Sequence, residues 1–383
     1  MSAVTVDVSS KILNWIIPLV QADSADDDVL EALHVWASGE KKPTLRQLEE
    51  VSRKTHIPFG YFFLSSPPNE DFYFAEYRTI GSDGVSNPSR NLIDTIDTMR
   101  DIQEWMTEYK QKNDIEHPSF IGKFSVNTPV ETIIQSIRDT LTIEIDWFSN
   151  FYNSKETFKY FRHKLEECGV LVMQNGVVGN NNTRKLNINE FRAFCINDKM
   201  TPLIFINSND SDAGKIFSLI HETAHIWIGE EDFFNKNEYS FSKGQETRCN
   251  YIASEILVPK ELFCLKWNDL SASIEDKIQN LAKFFKCSSY VIARRAADME
   301  FISHSLYLKF VNQYQQYIKS KPTPISGKGG SYYNTQRSRW SRPFILALAQ
   351  STRAGKTLYR DAYRLTGTKS KSFHNLVALV EGV

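Results

Sequence analysis

The chain has no CxxC pair, no long apolar run and almost no net charge, and each absence removes a class of protein. Its five cysteines, at 168, 195, 249, 264 and 287, are odd in number and unpaired in spacing. They read as buried or incidental thiols in a reducing compartment, not as a disulfide framework, and as poor zinc ligands. The longest apolar runs, such as residues 15–20 and 61–64, fall far short of the roughly 20 residues needed to cross a bilayer. No charged-then-apolar leader opens the chain, so a cytoplasmic protein with no membrane contact is expected. A net charge of −1 over 383 residues gives no global pull toward nucleic acid or an acidic membrane, although the charge is unevenly spread. A hydrophobic content of 41 % leaves ample material for a core, and the length allows two or three domains.

What is present concentrates in residues 216–229, IFSLIHETAHIWIG. His221 and His225, four apart, lie one above the other on a helix face, so both imidazoles can bind one metal ion while Glu222 projects beside them. Zn²⁺ in such a place lowers the pKa of its water toward neutrality and polarises a carbonyl, and Glu222 is positioned to take the proton. The plainer alternative is a core helix that happens to carry two histidines. In residues 246–259, ETRCNYIASEILVP, an apolar stripe of Cys249, Ile252, Ala253, Ile256 and Leu257 extends back one turn onto Glu246. A carboxylate on the core side needs a cation or a hydrogen-bond partner, and a zinc already held by two histidines is the obvious one. The alternative is a Glu246 that caps its helix or pairs with Arg248 or a lysine. With His221, His225 and Glu246 as ligands the fourth position stays open for water, the mark of a catalytic site.

In chain order, residues 1–68 are expected to form a helical domain with helices near 12–20, 29–36 and 44–54, Gly39 ending one and Thr44 capping the next. Residues 69–125 read as a connector: a loop, FAEYRTIGSDGVSNPSR, and a long helix over 91–112 with Leu92, Ile93, Ile96, Met99, Ile102 and Met106 on one side. Arg78 in that loop either approaches the active site or forms a surface ion pair. The catalytic domain spans 126–300, with helices at 129–142 and 156–167 and strands at 169–173, 191–196 and 202–207. Asp210 or Ser211 is the expected N-cap of the zinc helix, and the strand at 202–207 is expected to pair with an extended peptide substrate. Residues 283–297 suggest a short helix, a turn and a second helix bearing Arg294 and Arg295, either a second helix-turn-helix remnant or, as favoured here, helices that pack on the peptidase domain. Residues 301–383 are a basic helical region, with thirteen Lys and Arg from 308 onward against Asp361 and Glu381. That excess, with Tyr332, Tyr333 and Trp340 interleaved, fits binding to nucleic acid or an acidic protein, or simple solvation; GKGGS at 327–331 reads as a hinge.

The run EFRAFCINDKMTPLIFINSNDSDAGKIFSLIHETAHIWIG, followed by ETRCNYIASEILVP, resembles the ImmA/IrrE family of zinc metallopeptidases. That family carries an FRGF-like strand, a PLIFIN-like strand, an HExxH helix and a second helix of the form ExxANxxAxxLLxP; GVLVMQ at 169–174 and Asn-Thr-Arg at 182–184 also fit. The resemblance runs from Trp36 to the C-terminus and is strongest over 191–259. It implies an α+β, mainly helical multi-domain chain with a zincin-like core, metal ligands at His221, His225 and Glu246, and Glu222 as the catalytic glutamate. Thr223, in place of a bulkier apolar residue, and Cys249, in place of Ala, depart from the pattern without removing a ligand. Trp36, Gly39, Pro43 with Thr44, and Pro58 before Phe62 and Phe63 resemble the Cro/C1-type helix-turn-helix domain fused to many such peptidases. Where its recognition helix should lie, however, stand Asp23, Asp26, Asp27 and Asp28, which repel phosphates, so DNA binding is not favoured over packing or protein contacts. The resemblance implies an endopeptidase that cleaves a helix-turn-helix repressor or an antitoxin in a stress or defence response. Two alternatives are a binding module that sequesters a toxin without cutting it and a DNA-binding regulator. Tyr251 and Arg192 are candidates to stabilise the oxyanion.

Overall fold

Residues 4–22, 27–68, 76–77, 88–229, 243–320 and 332–382 are described by the computed structural model. Asp23, Asp26, Arg78 and the glycine run at 327–331 lie outside them. The N-terminal helices α1 (Ser10–Ala22), α2 (Asp27–Ala37) and α3 (Leu45–Thr55) close around Ile16, Leu33, Trp36, Leu48 and Phe62. The Gly39 that follows α2 takes φ +80°, a left-handed turn that costs glycine little. Thr44 then starts α3 with a capping box: its hydroxyl accepts from the Gln47 N–H at 3.3 Å, and the Gln47 side chain accepts from the Thr44 N–H at 2.9 Å.

Next come β1 (Glu76–Tyr77), α4 (Arg90–Lys112), α5 (Val130–Leu141), α6 (Ser154–Glu167), β2 (Leu171–Asn175), β3 (Val177–Val178), β4 (Asn181–Lys185), β5 (Ala193–Ile196) and β6 (Leu203–Asn207). The main sheet has the order β1-β5-β6-β2, with β2 parallel to β6 and the other pairs antiparallel; β3 and β4 form a separate hairpin. All five positions of β6, LIFIN, are buried, as befits an inner strand covered on both faces. This corrects one expectation. The strand at 202–207 cannot accept a substrate peptide, because β5 and β2 already occupy its two edges.

Alternation along the strands divides the sheet between two cores. Val172, Ala193, Cys195, Ile204 and Ile206 face α5, α6 and the helices that follow the sheet: α7 (Asp212–Trp227), α8 (Lys243–Leu257), α9 (Lys260–Asp269), α10 (Ile274–Phe284), α11 (Ser289–Asp298) and α12 (His304–Ser320). Leu171, Met173, Phe194, Leu203 and Phe205 face α4 and the C-terminal helices α14 (Arg342–Arg353), α15 (Tyr359–Thr366) and α16 (Ser370–Glu381), with α13 (Tyr332–Arg339) leading into them. The fold is α+β, mainly helical, with a small mixed sheet. Some of the C-terminal basic charge is answered internally: Arg353 makes two hydrogen bonds to the Glu381 carboxylate at 2.6 and 2.9 Å, and Arg364 reaches Asp101 at 3.3 Å.

Lys110, at the end of α4, is buried with its ammonium donating to the carbonyls of Met200 at 2.7 Å and Gly169 at 3.3 Å, which ties α4 to the turns that lead into β6 and β2. Burial pulls its pKa from 10.5 down to about 8, against the charges of Asp198 and Cys168. The unfolded chain therefore holds this proton to higher pH than the folded one. Stability from this site rises as pH goes from 8 to 10.5, by about 3 kcal/mol at full shift. Urea midpoints of the parent and Lys110→Met should diverge in the parent's favour over that window; parallel pH curves would contradict the shift.

Candidate metal centre

Helix α7 is started by Ser211, whose hydroxyl accepts from the Gly214 N–H at 3.1 Å. Of the two expected caps, Asp210 instead accepts from the Ser211 N–H at 2.7 Å and pairs with Arg192 at 2.8 Å. Every residue from 216 to 227 is buried, so this is a core helix and each polar group on it needs a reason. Thr223 has a local one: its hydroxyl donates to the Leu219 carbonyl at 2.8 Å. The two histidines have each other and Glu246.

His221 and His225, each 1 % exposed, bring their Nε2 atoms to 3.0 Å. Glu246 places Oε2 3.3 Å from His221 Nε2 and Oε1 3.3 Å from His225 Nε2. An ion with tetrahedral bonds of about 2.0–2.1 Å to N and O ligands holds those atoms about 3.3 Å apart, and the two histidine nitrogens, 3.0 Å from each other and each 3.3 Å from its own Glu246 oxygen, are spaced on that scale. The donor set also fits: two imidazole nitrogens and a carboxylate oxygen converge, the only His/Cys/Asp/Glu group of this kind among the described residues. Burial alone would raise the Glu246 pKa, but its hydrogen bonds to His221 and His225 hold the carboxyl far below the usual carboxylate range. Glu246 is thus an anion, as a ligand must be. On the far side of the His225 ring, Nδ1 lies 3.5 Å from Cys249 Sγ, a contact that leaves Nε2 facing the site. Glu222, next to His221, is 1 % exposed.

Helix α8 delivers Glu246 because it is fixed at several points. Cys249, Ile252, Ala253 and Ile256 are fully buried in the core shared with α7. Trp147 Nε1 donates to the Ile256 carbonyl at 3.1 Å, and Arg138 reaches the same carbonyl at 3.2 Å, satisfying the end of the helix. Arg248, the alternative partner considered for Glu246, donates instead to the Thr128 carbonyl. Arg295, 2 % exposed, pairs with Glu255 and lies 5.7 Å from the Tyr251 ring. Of the two oxyanion candidates, Arg192 is paired with Asp210, and the ring of the half-exposed Tyr251 lies against Arg295. The Cys249 contact and the Arg295–Glu255 pair were missed in the sequence, since both join residues far apart in the chain. Arg295→Ala should cost about 3 kcal/mol by stranding a carboxylate; a loss below about 1 kcal/mol in urea denaturation, typical of an exposed pair, would show the pair to be incidental.

Comparison with known families falls on these same elements. Residues 165–297 match the Peptidase_M78 family, described as an IrrE N-terminal-like domain. The match includes all four residues of the site and runs from the end of α6 to the end of α11. It supports the ImmA/IrrE resemblance for this segment. Residues 340–378, covering α14, α15 and most of α16, match a domain of unknown function (DUF8813). No curated protein matches the chain.

Proposed function

We propose that the chain is a zinc-dependent endopeptidase that cuts a regulatory protein partner, a small helix-turn-helix repressor or an antitoxin, in a cytoplasmic stress or defence response. The observation that carries the enzymatic part is the buried triangle of His221, His225 and Glu246 with Glu222 one residue away on the same helix. Zinc in that triangle supplies a Lewis acid that polarises the peptide carbonyl and makes water acidic. The chain's own residues do the rest. His221 and His225 are presented by one helix and Glu246 by another, and both helices are packed in the same core. Glu222, buried on the same helix, takes the proton from the attacking water and returns it to the leaving amine nitrogen.

The class of partner rests on the resemblance to ImmA/IrrE peptidases. A location inside the cell agrees with five cysteines whose odd number and spacing suit no disulfide framework. The test is co-expression with each small repressor, antitoxin or toxin encoded beside the gene, with and without DNA-damaging stress. A truncated partner is expected. Stable complexes that stay intact under every condition would favour the sequestering module instead.

A further inference from the structure

The two ligand helices each present a ligand near an end. His225 lies in the last turn of α7, which stops at Trp227, and Glu246 lies in the first turn of α8, which starts at Lys243. Helix ends fray unless their orphan backbone groups or nearby side chains are tied down. The bonds from Trp147 and Arg138 to the Ile256 carbonyl hold the other end of α8. A metal site needs its ligands held to within about 0.5 Å, so the two near ends have to be fixed against each other.

One segment touches both. Residues 120–128, between α4 and α5, run past the end of α7: the Gly122 N–H donates to the Ile226 carbonyl at 2.9 Å, and the Phe124 N–H donates to the Trp227 carbonyl at 3.2 Å. These carbonyls belong to the last turn, which has no intrahelical donors left for them. Phe124 is also bridged in parallel to Ile228, and the Phe120 ring stacks on Trp227 with centroids 4.0 Å apart. The backbones come this close because two glycines face each other: a Cβ on Gly229 would run into the Gly122 Cα. At the other end of the segment, the Thr128 carbonyl accepts from the Arg248 guanidinium, and Arg248 follows Glu246 by two residues on α8.

We propose that residues 120–128 are a strap that sets the spacing of His225 and Glu246 for the metal, and that Arg248 is the positioning residue through which Glu246 is coupled to it. The proposal rests on the metal centre described above. Arg248 is not one of the converging ligands, and residues two apart on a helix do not face each other. It acts by stopping the first turns of α8 from rotating or lifting, which would carry Glu246 away from its 3.3 Å spacings to the histidine nitrogens. The bonds from Gly122 and Phe124 do the same for the turn that carries His225.

Calorimetric titration of the metal-free full chain with zinc tests this. Arg248→Met keeps the aliphatic stem and removes the donors, and it should weaken zinc about 10–100-fold, the usual cost of losing a support behind a ligand. Arg248→Lys, which can still donate to a carbonyl, should recover most of that loss. Trp147→Phe removes a donor at the far end of α8; it should lower the urea midpoint and leave the zinc affinity of the folded protein unchanged. Gly229→Ala pushes the strap off α7 and should weaken zinc as well. Combined with Arg248→Met it should cost less than the two losses together, because both act through one segment. Cobalt in place of zinc gives a second reading, since its visible absorption reports ligand geometry and should change in Arg248→Met but not in Trp147→Phe. Zinc affinity equal to the parent's in Arg248→Met, or lost equally in Trp147→Phe, would overturn the positioning role. Fully additive losses in Arg248→Met and Gly229→Ala would overturn the strap as a unit. A parent that binds no zinc rejects the metal centre itself, whereas a zinc-binding parent matched by Arg248→Met rejects only the strap.

Discussion

Glu222→Gln is expected to lower partner cleavage by about 10²–10⁴-fold, the usual contribution of a positioned general base. Glutamine keeps the size of the side chain and most of its hydrogen bonding, but it cannot take up the proton. Because Glu222 is buried at 1 % exposure and glutamine fills nearly the same volume, the melting temperature should stay close to the parent's. Metal content should stay as in the parent, since Glu222 is not among the three converging ligands. The loss should appear in kcat, with partner affinity retained. Cleavage undiminished in Glu222→Gln would remove this residue from the chemistry.

The second large effect is on the metal itself. Glu246→Ala leaves two imidazoles 3.0 Å apart as the remaining protein ligands, one short of the three that hold a catalytic zinc. Loss of even an outer-shell partner typically costs 10–100-fold in metal affinity, so loss of this ligand should weaken zinc by more than about 100-fold. Calorimetric titration of metal-free protein measures this directly. Thermal melts give an independent reading: zinc at a hundred times its dissociation constant stabilises the parent by about 2.7 kcal/mol, and the same zinc concentration should leave Glu246→Ala nearly unmoved. If the variant bound zinc as tightly as the parent, a residue other than Glu246 would have to be the third ligand.

Much of the site was legible because its information is local. The four-residue spacing of His221 and His225 needs only helical geometry, and the stripe ending at Glu246 marks a carboxylate that must find a partner. The N-cap was nearly legible: Asp210 and Ser211 are both good capping residues, and the choice fell to Ser211 because Arg192, eighteen residues earlier, claims Asp210. Periodicity also found the apolar side of α4, where Leu92, Ile96, Met99 and Ile102 are buried. It could not say that this side meets the sheet and the C-terminal helices, because both lie far along the chain from α4. The misreading of 202–207 had a signal against it. A strand that is apolar at both parities is covered on both faces and belongs inside the sheet, whereas an edge that receives a peptide lies at its margin. The polar hairpin strand β4, NNTRK, offers no apolar alternation, so only its pairing with β3 reveals it.

The most direct test is the state of one partner protein after incubation with purified, full-length chain, read by intact mass. Zinc-loaded parent should convert the partner into two fragments whose masses sum to the whole plus one water. A chelator should stop the conversion, added zinc should restore it, and Glu222→Gln should bind the same partner and leave it whole. Fragments produced equally by the parent, the chelated parent and Glu222→Gln would contradict metal-dependent peptide hydrolysis at His221, Glu222, His225 and Glu246.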